Sequence, residues 1–236
     1  VGLLLLQYVL KTRKAQGTLP DHAVVVKTIV TSDLAFPIAR TYGVKVREVL
    51  TGFKYIGEVI GKLEEQGREG DFVFGFEESC GYLSGTHVRD KDGVMACMLV
   101  CEMAQSCKTM GSSVWEALQE LYRHYGYLGT RLMNFDIAGA LPMQQMNATM
   151  ARLRRQPIRE LAGHAVTEVR DYLTGLDGLP ASNVLAFVAG PVKAIVRPSG
   201  TEPKVKIYLS AQADDSAGAE ALLTALEADI HAALHA

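Results

Sequence analysis

Between residues 23 and 76 three short apolar runs alternate with two amphipathic stretches, and this alternation restricts the possible folds more than any other feature. AVVVKTIV, residues 23–30, is a β-branched run of the kind buried on both faces of a sheet. TSDLAFPIARTYG then supplies Ser32 or Asp33 as a helix N-cap and Gly43 as a stop. VKVREVL reads as a second strand, TGFK as a loop, YIGEVIGKLEEQG as a second helix and DFVFGF as a third strand. Strand, helix, strand, helix, strand predicts a parallel sheet with right-handed crossovers, whose strand-to-helix loops all emerge at one edge. Thr31-Ser32, Thr51 to Lys54, and Glu77-Glu78-Ser79 therefore converge at the carboxyl edge, where open parallel sheets bind ligands.

Around this block, residues 1–15 read as a helix with Lys11, Arg13 and Lys14 at its C-terminal end. A long helix is expected over about 92–109, and SSVWEALQELYRHYG forms another, capped by Ser112 or Ser113. Near residue 128 the style changes: YLGTRLMNFDIAG is irregular or strand-like, and ALPMQQMNATMARLRRQ is helical. HAVTEVRDYL, NVLAFVAG, PVKAIVRP and KVKIYLSAQ follow as strands joined by turns such as Asp177-Gly178, and an Ala/Leu helix ends the chain. The expected fold class is α/β: a three-layer α/β domain of parallel type over residues 1–130, then a smaller α+β domain with an antiparallel sheet over 131–236.

The 236 residues suffice for two cores, and 48% apolar with 21% charged residues is a globular composition. A net charge of −2 provides no field for gathering nucleic acid or anionic lipid, so neither is expected as a partner. VGLLLLQYVL is too short an apolar run for a membrane span and has no basic segment before it, so a cytoplasmic setting is expected. A first residue of Val rather than Met raises the expectation that an upstream part is missing. Cys80, Cys97, Cys101 and Cys107 are too clustered for a disulfide framework. Cys97 and Cys101, among Val94, Met95, Met98 and Leu99, read as core thiols, and Trp115 as a core residue. None of the six histidines is expected to ligate metal, and the basic run Arg152, Arg154, Arg155 and Arg159 reads as a solvated helix face.

Two stretches carry chemistry. RPSGTEPKVK, residues 197–206, gathers Arg197, Ser199, Gly200, Thr201, Lys204 and Lys206 around a turn between strands. A guanidinium, two hydroxyls and amides freed by a glycine suit a phosphate dianion, whose oxygens accept several charge-assisted hydrogen bonds. A polar β-turn with incidental charges explains the same residues. GFEESCGYLSGTHVRDKDG, residues 75–93, sets Glu77 and Glu78 between glycines. Adjacent residues at a strand end point to opposite faces, which argues against a cooperating acid–base pair and for gripping sugar hydroxyls. Capping of the next helix is the alternative.

TIVTSDL, LTGFKYIG, FGFEESCGYL, HVRDKDGV and RPSGTEPKVKIYL, in this order, resemble the C-terminal half of a phosphoglucomutase of the α-D-phosphohexomutase family. The resemblance implies a third α/β domain and a C-terminal α+β domain from a four-domain protein built around a cleft. It implies that Glu77 and Ser79 grip the sugar and that Thr51 and Gly52 orient it. Lys91 would reach the substrate, with Arg89 as a neighbour. Arg197, Ser199, Gly200 and Thr201 would hold phosphate, with Lys204 and Lys206 matching less securely. The implied activity interconverts glucose 1-phosphate and glucose 6-phosphate through a phosphoserine and a glucose 1,6-bisphosphate intermediate, with Mg²⁺. Loops like Thr-Ala-Ser-His-Asn-Pro and Asp-Gly-Asp-x-Asp-Arg, which carry the family's serine and metal, occur nowhere in the sequence. The expectation is therefore a chain without catalytic or metal residues, inactive alone, whose partners are a phosphorylated hexose and missing N-terminal domains. Mannose or pentose phosphates, and a phosphosugar-binding module without catalysis, stay open as alternatives.

Overall fold

The computed structural model describes residues 1–137, 142–199, 202 and 204–235, which divide into two compact units, Val1–Tyr125 and Gly126–Ala236. The first unit runs α1 (Gly2–Ala15), β1 (Val24–Thr28), α2 (Ala35–Thr41), β2 (Lys45–Val49), α3 (Phe53–Glu64), β3 (Phe72–Glu77), β4 (Gly81–Leu83), α4 (Gly93–Thr109) and α5 (Val114–Tyr125). Its sheet has the order β2-β1-β3-β4, parallel through the first three strands. β4 is an antiparallel return from β3, a strand absent from the sequence-based expectation. β1 and β3 are buried along their whole length, as their β-branched and aromatic residues require. α3 turns the stripe Phe53, Ile56, Val59, Ile60 and Leu63 onto Val24, Val26, Val49 and Phe72. It starts directly after Gly52, whose φ of 125° an L-residue rarely adopts, so the expected loop at residues 51–54 is shorter than foreseen.

One irregularity in β3 decides which way its end points. Val24 pairs with Phe72 but Val25 pairs with Phe74, so Val73 is an extra residue in the strand. Each one-residue offset exchanges the faces of every later side chain. Beyond the bulge, Gly75 faces Ile56 of α3 while Phe76 lies against Gly2 of α1, so Glu77 emerges on the α3 face.

The second unit contains β5 (Tyr127–Asp136), α6 (Pro142–Arg155), β6 (Glu160–Leu161), β7 (His164–Ala165), β8 (Glu168–Asp171), β9 (Leu185–Ala189), β10 (Val192–Pro198), β11 (Lys204–Ala213) and α7 (Ser216–His235). β5-β11-β10-β9-β8 form an antiparallel sheet, and β6 and β7 a separate small hairpin. The run expected as one strand over HAVTEVRDYL is thus split between β7 and β8. Val205, Ile207, Leu209 and Ala211 of β11 point into a core shared with Met146, Met150 and Leu153 of α6 and Leu223, Leu226 and Ile230 of α7. Lys204, Lys206 and Tyr208 alternate onto the opposite face. Arg131 of β5 is paired with Glu220 and Glu227 of α7.

The basic run of α6 is only partly a solvated face: Arg152 donates to the Leu234 carbonyl, and Arg154 pairs with Asp171. Cys97, Cys101, Val94 and Met98 are exposed rather than core, because α4 turns Ala96, Met103 and Cys107 inward and these four lie on its other side. Trp115, in the first turn of α5, is also 67% exposed.

Candidate functional site

The carboxyl edge of the first sheet holds a polar cluster centred on Glu77, whose residue is only 5% exposed. Its Oε2 accepts from the Gly52 amide at 3.2 Å, and its Oε1 accepts from Ser79 Oγ at 2.9 Å. Lys91 Nζ lies 2.8 Å from Glu77 Oε1 and donates to the Ser79 carbonyl and hydroxyl. A carboxylate this deep is tolerable because a cation and two donors satisfy it. Gly81 makes the packing possible: a Cβ there would stand 2.7 Å from Glu77 Cγ, 2.9 Å from Phe53 and 3.1 Å from Lys91 Cε. Beside the cluster, Thr51 Oγ1 is buried with no hydrogen-bond partner among the described residues. An orphaned buried hydroxyl is uncommon and marks a place where a ligand can supply the missing bond.

Glu78 takes the other direction, its Oε1 accepting from the Ser32 amide at 3.2 Å. Burial pushes its carboxyl up, partly offset by that amide and by Lys27. The two glutamates therefore serve separate loops, as expected of adjacent residues at a strand end. Lys27, which sequence reasoning passed over, is fully buried. Its Nζ lies 2.6 Å from Glu48 Oε1 and 2.9 Å from Asp33 Oδ1, and it donates to the Thr31 carbonyl at 3.1 Å. It thereby joins the ends of β1 and β2 to the loop carrying Ser32. A lone lysine inside an otherwise apolar strand run was the available signal.

Arg89 is not brought to the Glu77 cluster. It is paired with Glu64 at 2.6 Å and bonded to the Thr86 carbonyl. Glu64 ends α3, a 12-residue helix, so its backbone lies about 18 Å along the axis from Gly52. Asp92 caps α4 by accepting from the Met95 amide at 2.9 Å, and His87 Nε2 lies 2.8 Å from its other oxygen. These bonds, the amide's first, hold the Asp92 carboxyl below the usual carboxylate range.

In the second unit, Arg197 on β10 stands directly opposite Lys206 on β11. Like charges in that register repel unless an anion joins them. Ser199 is buried and its amide donates to the Lys204 carbonyl at 2.8 Å. Lys204 Nζ is 2.8 Å from Glu202, whose carboxyl it holds low. Gly200 and Thr201, the remaining expected phosphate ligands, lie outside the described residues. Among the described residues no group of three or more His, Cys, Asp or Glu side chains could hold a metal ion, so those present do not fit Mg²⁺.

Comparison with known proteins agrees with both units. The family model for phosphoglucomutase/phosphomannomutase alpha/beta/alpha domain III matches residues 1–125, and that for the C-terminal domain matches residues 146–227. A phosphoglucomutase from Staphylococcus haemolyticus is 35% identical over 226 residues, covering 91% of this chain and 40% of the relative. One from Staphylococcus aureus is 35% identical over 221 residues, covering 89% and 39%. The fold is shared with Paramecium pp63/parafusin, a phosphoglucomutase, in its open form (TM-score 0.65, 20% identity, 98% of this chain and 40% of that one). It is also shared with a phosphoglucomutase/phosphomannomutase family protein from Burkholderia thailandensis (TM-score 0.58, 14% identity, 98% and 41%). The two units are thus phosphohexomutase C-terminal domains. The chain belongs to the phosphoglucomutase/phosphomannomutase family and spans about two fifths of the length of the curated relatives it matches. No helix among the described residues is long and apolar enough to cross a membrane.

Proposed function

We propose that this chain is the substrate-binding portion of a phosphoglucomutase and does not turn over substrate alone. The first unit, Val1–Tyr125, contributes sugar contacts through Glu77, Ser79 and Lys91, with Thr51 and Gly52 orienting the ring. The second, Gly126–Ala236, contributes phosphate contacts through Arg197, Ser199, Gly200, Thr201 and Lys204. Lys206 joins them because it stands opposite Arg197.

The observation that carries the reading is the buried Glu77 carboxylate, aligned by the Gly52 amide, Ser79 and Lys91 at the carboxyl edge. Sugar hydroxyls both donate and accept, and this set offers them a carboxylate, a hydroxyl and an ammonium within one small region. Arg197 and Lys206 supply the matching charge for a phosphate dianion. In the whole enzyme a phosphoserine passes its phosphoryl group to a free hydroxyl of glucose 1-phosphate or glucose 6-phosphate. The serine O–P bond breaks as the bond to the sugar oxygen forms, and the proton lost by the sugar hydroxyl balances the one taken up by the departing serine oxygen. The resulting glucose 1,6-bisphosphate turns round and returns the other phosphoryl group to serine. Transition-state charge in such a transfer calls for positioned donors and a cation beside the nucleophile. We assign the nucleophile and the Mg²⁺ ligands to domains outside this chain, in line with the missing loop motifs.

The test is calorimetric titration with glucose 1-phosphate, mannose 1-phosphate and ribose 1-phosphate. Glucose 1-phosphate should bind best, and Glu77→Gln and Arg197→Ala should each weaken it by about tenfold or more, near 1.4 kcal/mol. Equal binding of inorganic phosphate and glucose 1-phosphate, unaffected by Glu77→Gln, would contradict the sugar-gripping role.

A further inference from the structure

The first two turns of α4 carry no charged residue; Glu102, Gln105 and Lys108 are exposed farther along the helix. Ala96, Met103 and Cys107 turn into the first unit, which accounts for one side. On the other side Val94, Cys97, Met98 and Cys101 follow the spacing i, i+3, i+4, i+7 and are exposed, Val94 at 75% and Met98 at 60%. Apolar stripes on two opposite sides of one helix call for a partner on each side. The second stripe therefore has the composition of an interface rather than of a solvent face.

Two occupants compete for it: a second copy of this chain, and the part of a mutase that relatives carry and this chain does not. The relatives' additional length, about three fifths of each, favours the second. So does position. Val94 lies three residues from Lys91, whose ammonium holds Glu77 and Ser79, and Asp92 between them caps the helix. A body seated on the stripe is beside the candidate sugar cluster, where the proposed reaction needs a phosphoserine and a metal loop. A second copy has neither motif to offer.

We propose that the outward stripe Val94, Cys97, Met98 and Cys101 is the surface on which the mutase domains preceding domain III dock, through an apolar face of their own. The proposal rests on the reading of this chain as the substrate-binding portion of a larger enzyme. The stripe carries its own reporters, since two of its four residues are thiols.

The experiment compares N-ethylmaleimide labelling of Cys97 and Cys101, resolved by peptide mass spectrometry, in two proteins. One is this chain; the other is a chimera in which the unmatched N-terminal part of the Staphylococcus haemolyticus phosphoglucomutase precedes Val1. Both cysteines should react freely in the chain and at least about tenfold more slowly in the chimera. Met98→Glu should restore rapid labelling in the chimera while leaving the circular dichroism melt of the chain alone unchanged. Equal reactivity in both proteins would overturn the proposal, as would protection in the chain alone at concentrations where it sediments as a dimer. Mutase activity separates this inference from the functional reading. Protection without activity supports docking and counts against the function, whereas activity without protection places the docking elsewhere and overturns the proposal.

Discussion

Gly81 sets how closely β4 returns past Glu77, and it does so by lacking a side chain. In Gly81→Ala the new methyl would crowd Glu77, Phe53 and Lys91, all within 3.1 Å, so the carboxylate must shift. The expected result is a loss of glucose 1-phosphate affinity of about tenfold with a small change in melting temperature, measured by titration and thermal melting. Lys27 acts on stability instead. Lys27→Met leaves Glu48 and Asp33 without their shared cation and the Thr31 carbonyl without its donor. A cost of about 1–3 kcal/mol is expected in urea unfolding, and an unchanged midpoint would show that the pairs contribute nothing. At this scale the sequence named Glu77, Ser79 and Lys91 from their residue types and from resemblance. It could not show that they touch, because contact depends on an antiparallel return, β4, that has only three residues of strand and ends eight residues before Lys91. Arg89, expected as a neighbour of Lys91, has its guanidinium drawn to Glu64.

The elements were legible wherever one period dominated. β1, β3 and α3 follow from runs of β-branched, aromatic or regularly spaced apolar residues, and they place the carboxyl edge. The bulge at Val73 was not legible, since an extra residue in a fully buried strand leaves no break in the apolar pattern. Without it Glu77 would face away from Gly52. The reading of α4 as buried took its composition at face value, whereas the helix buries Ala96, Met103 and Cys107 and leaves Val94, Cys97, Met98 and Cys101 exposed. Two predictions belong to single elements. The Asp92 cap has a folded pKa below the ordinary value, so its contribution is present above about pH 4 and is lost as pH falls through the lowered pKa. The Met95 amide resonance should follow that transition, and Asp92→Asn, which keeps an acceptor that does not titrate, should flatten the profile. In the second unit α7 approaches β5 over Gly129, where a Cβ would stand 2.8 Å from Leu223. Gly129→Ala should destabilise that unit by about 1–3 kcal/mol through overpacking, read as a lower unfolding midpoint.

At the scale of the molecule, two units of different architecture each hold one polar set, a buried carboxylate cluster in the first and a pair of opposed cations in the second. The change of class between them was legible, because helix-strand alternation gives way to grouped strands. What joins the parts into an active enzyme was not, since no residue here carries the nucleophile motif. The isolated chain should accordingly show no conversion of glucose 1-phosphate in a coupled assay free of host mutase. Binding without turnover is tested by an NMR titration of the chain with glucose 1-phosphate. Saturable shifts are expected at the Gly52 and Ser79 amides and at Arg197 and Ser199, with only the latter two moving when inorganic phosphate is used. Shifts confined to Arg197 and Ser199 with both ligands, or no shift at any of the four, would contradict it.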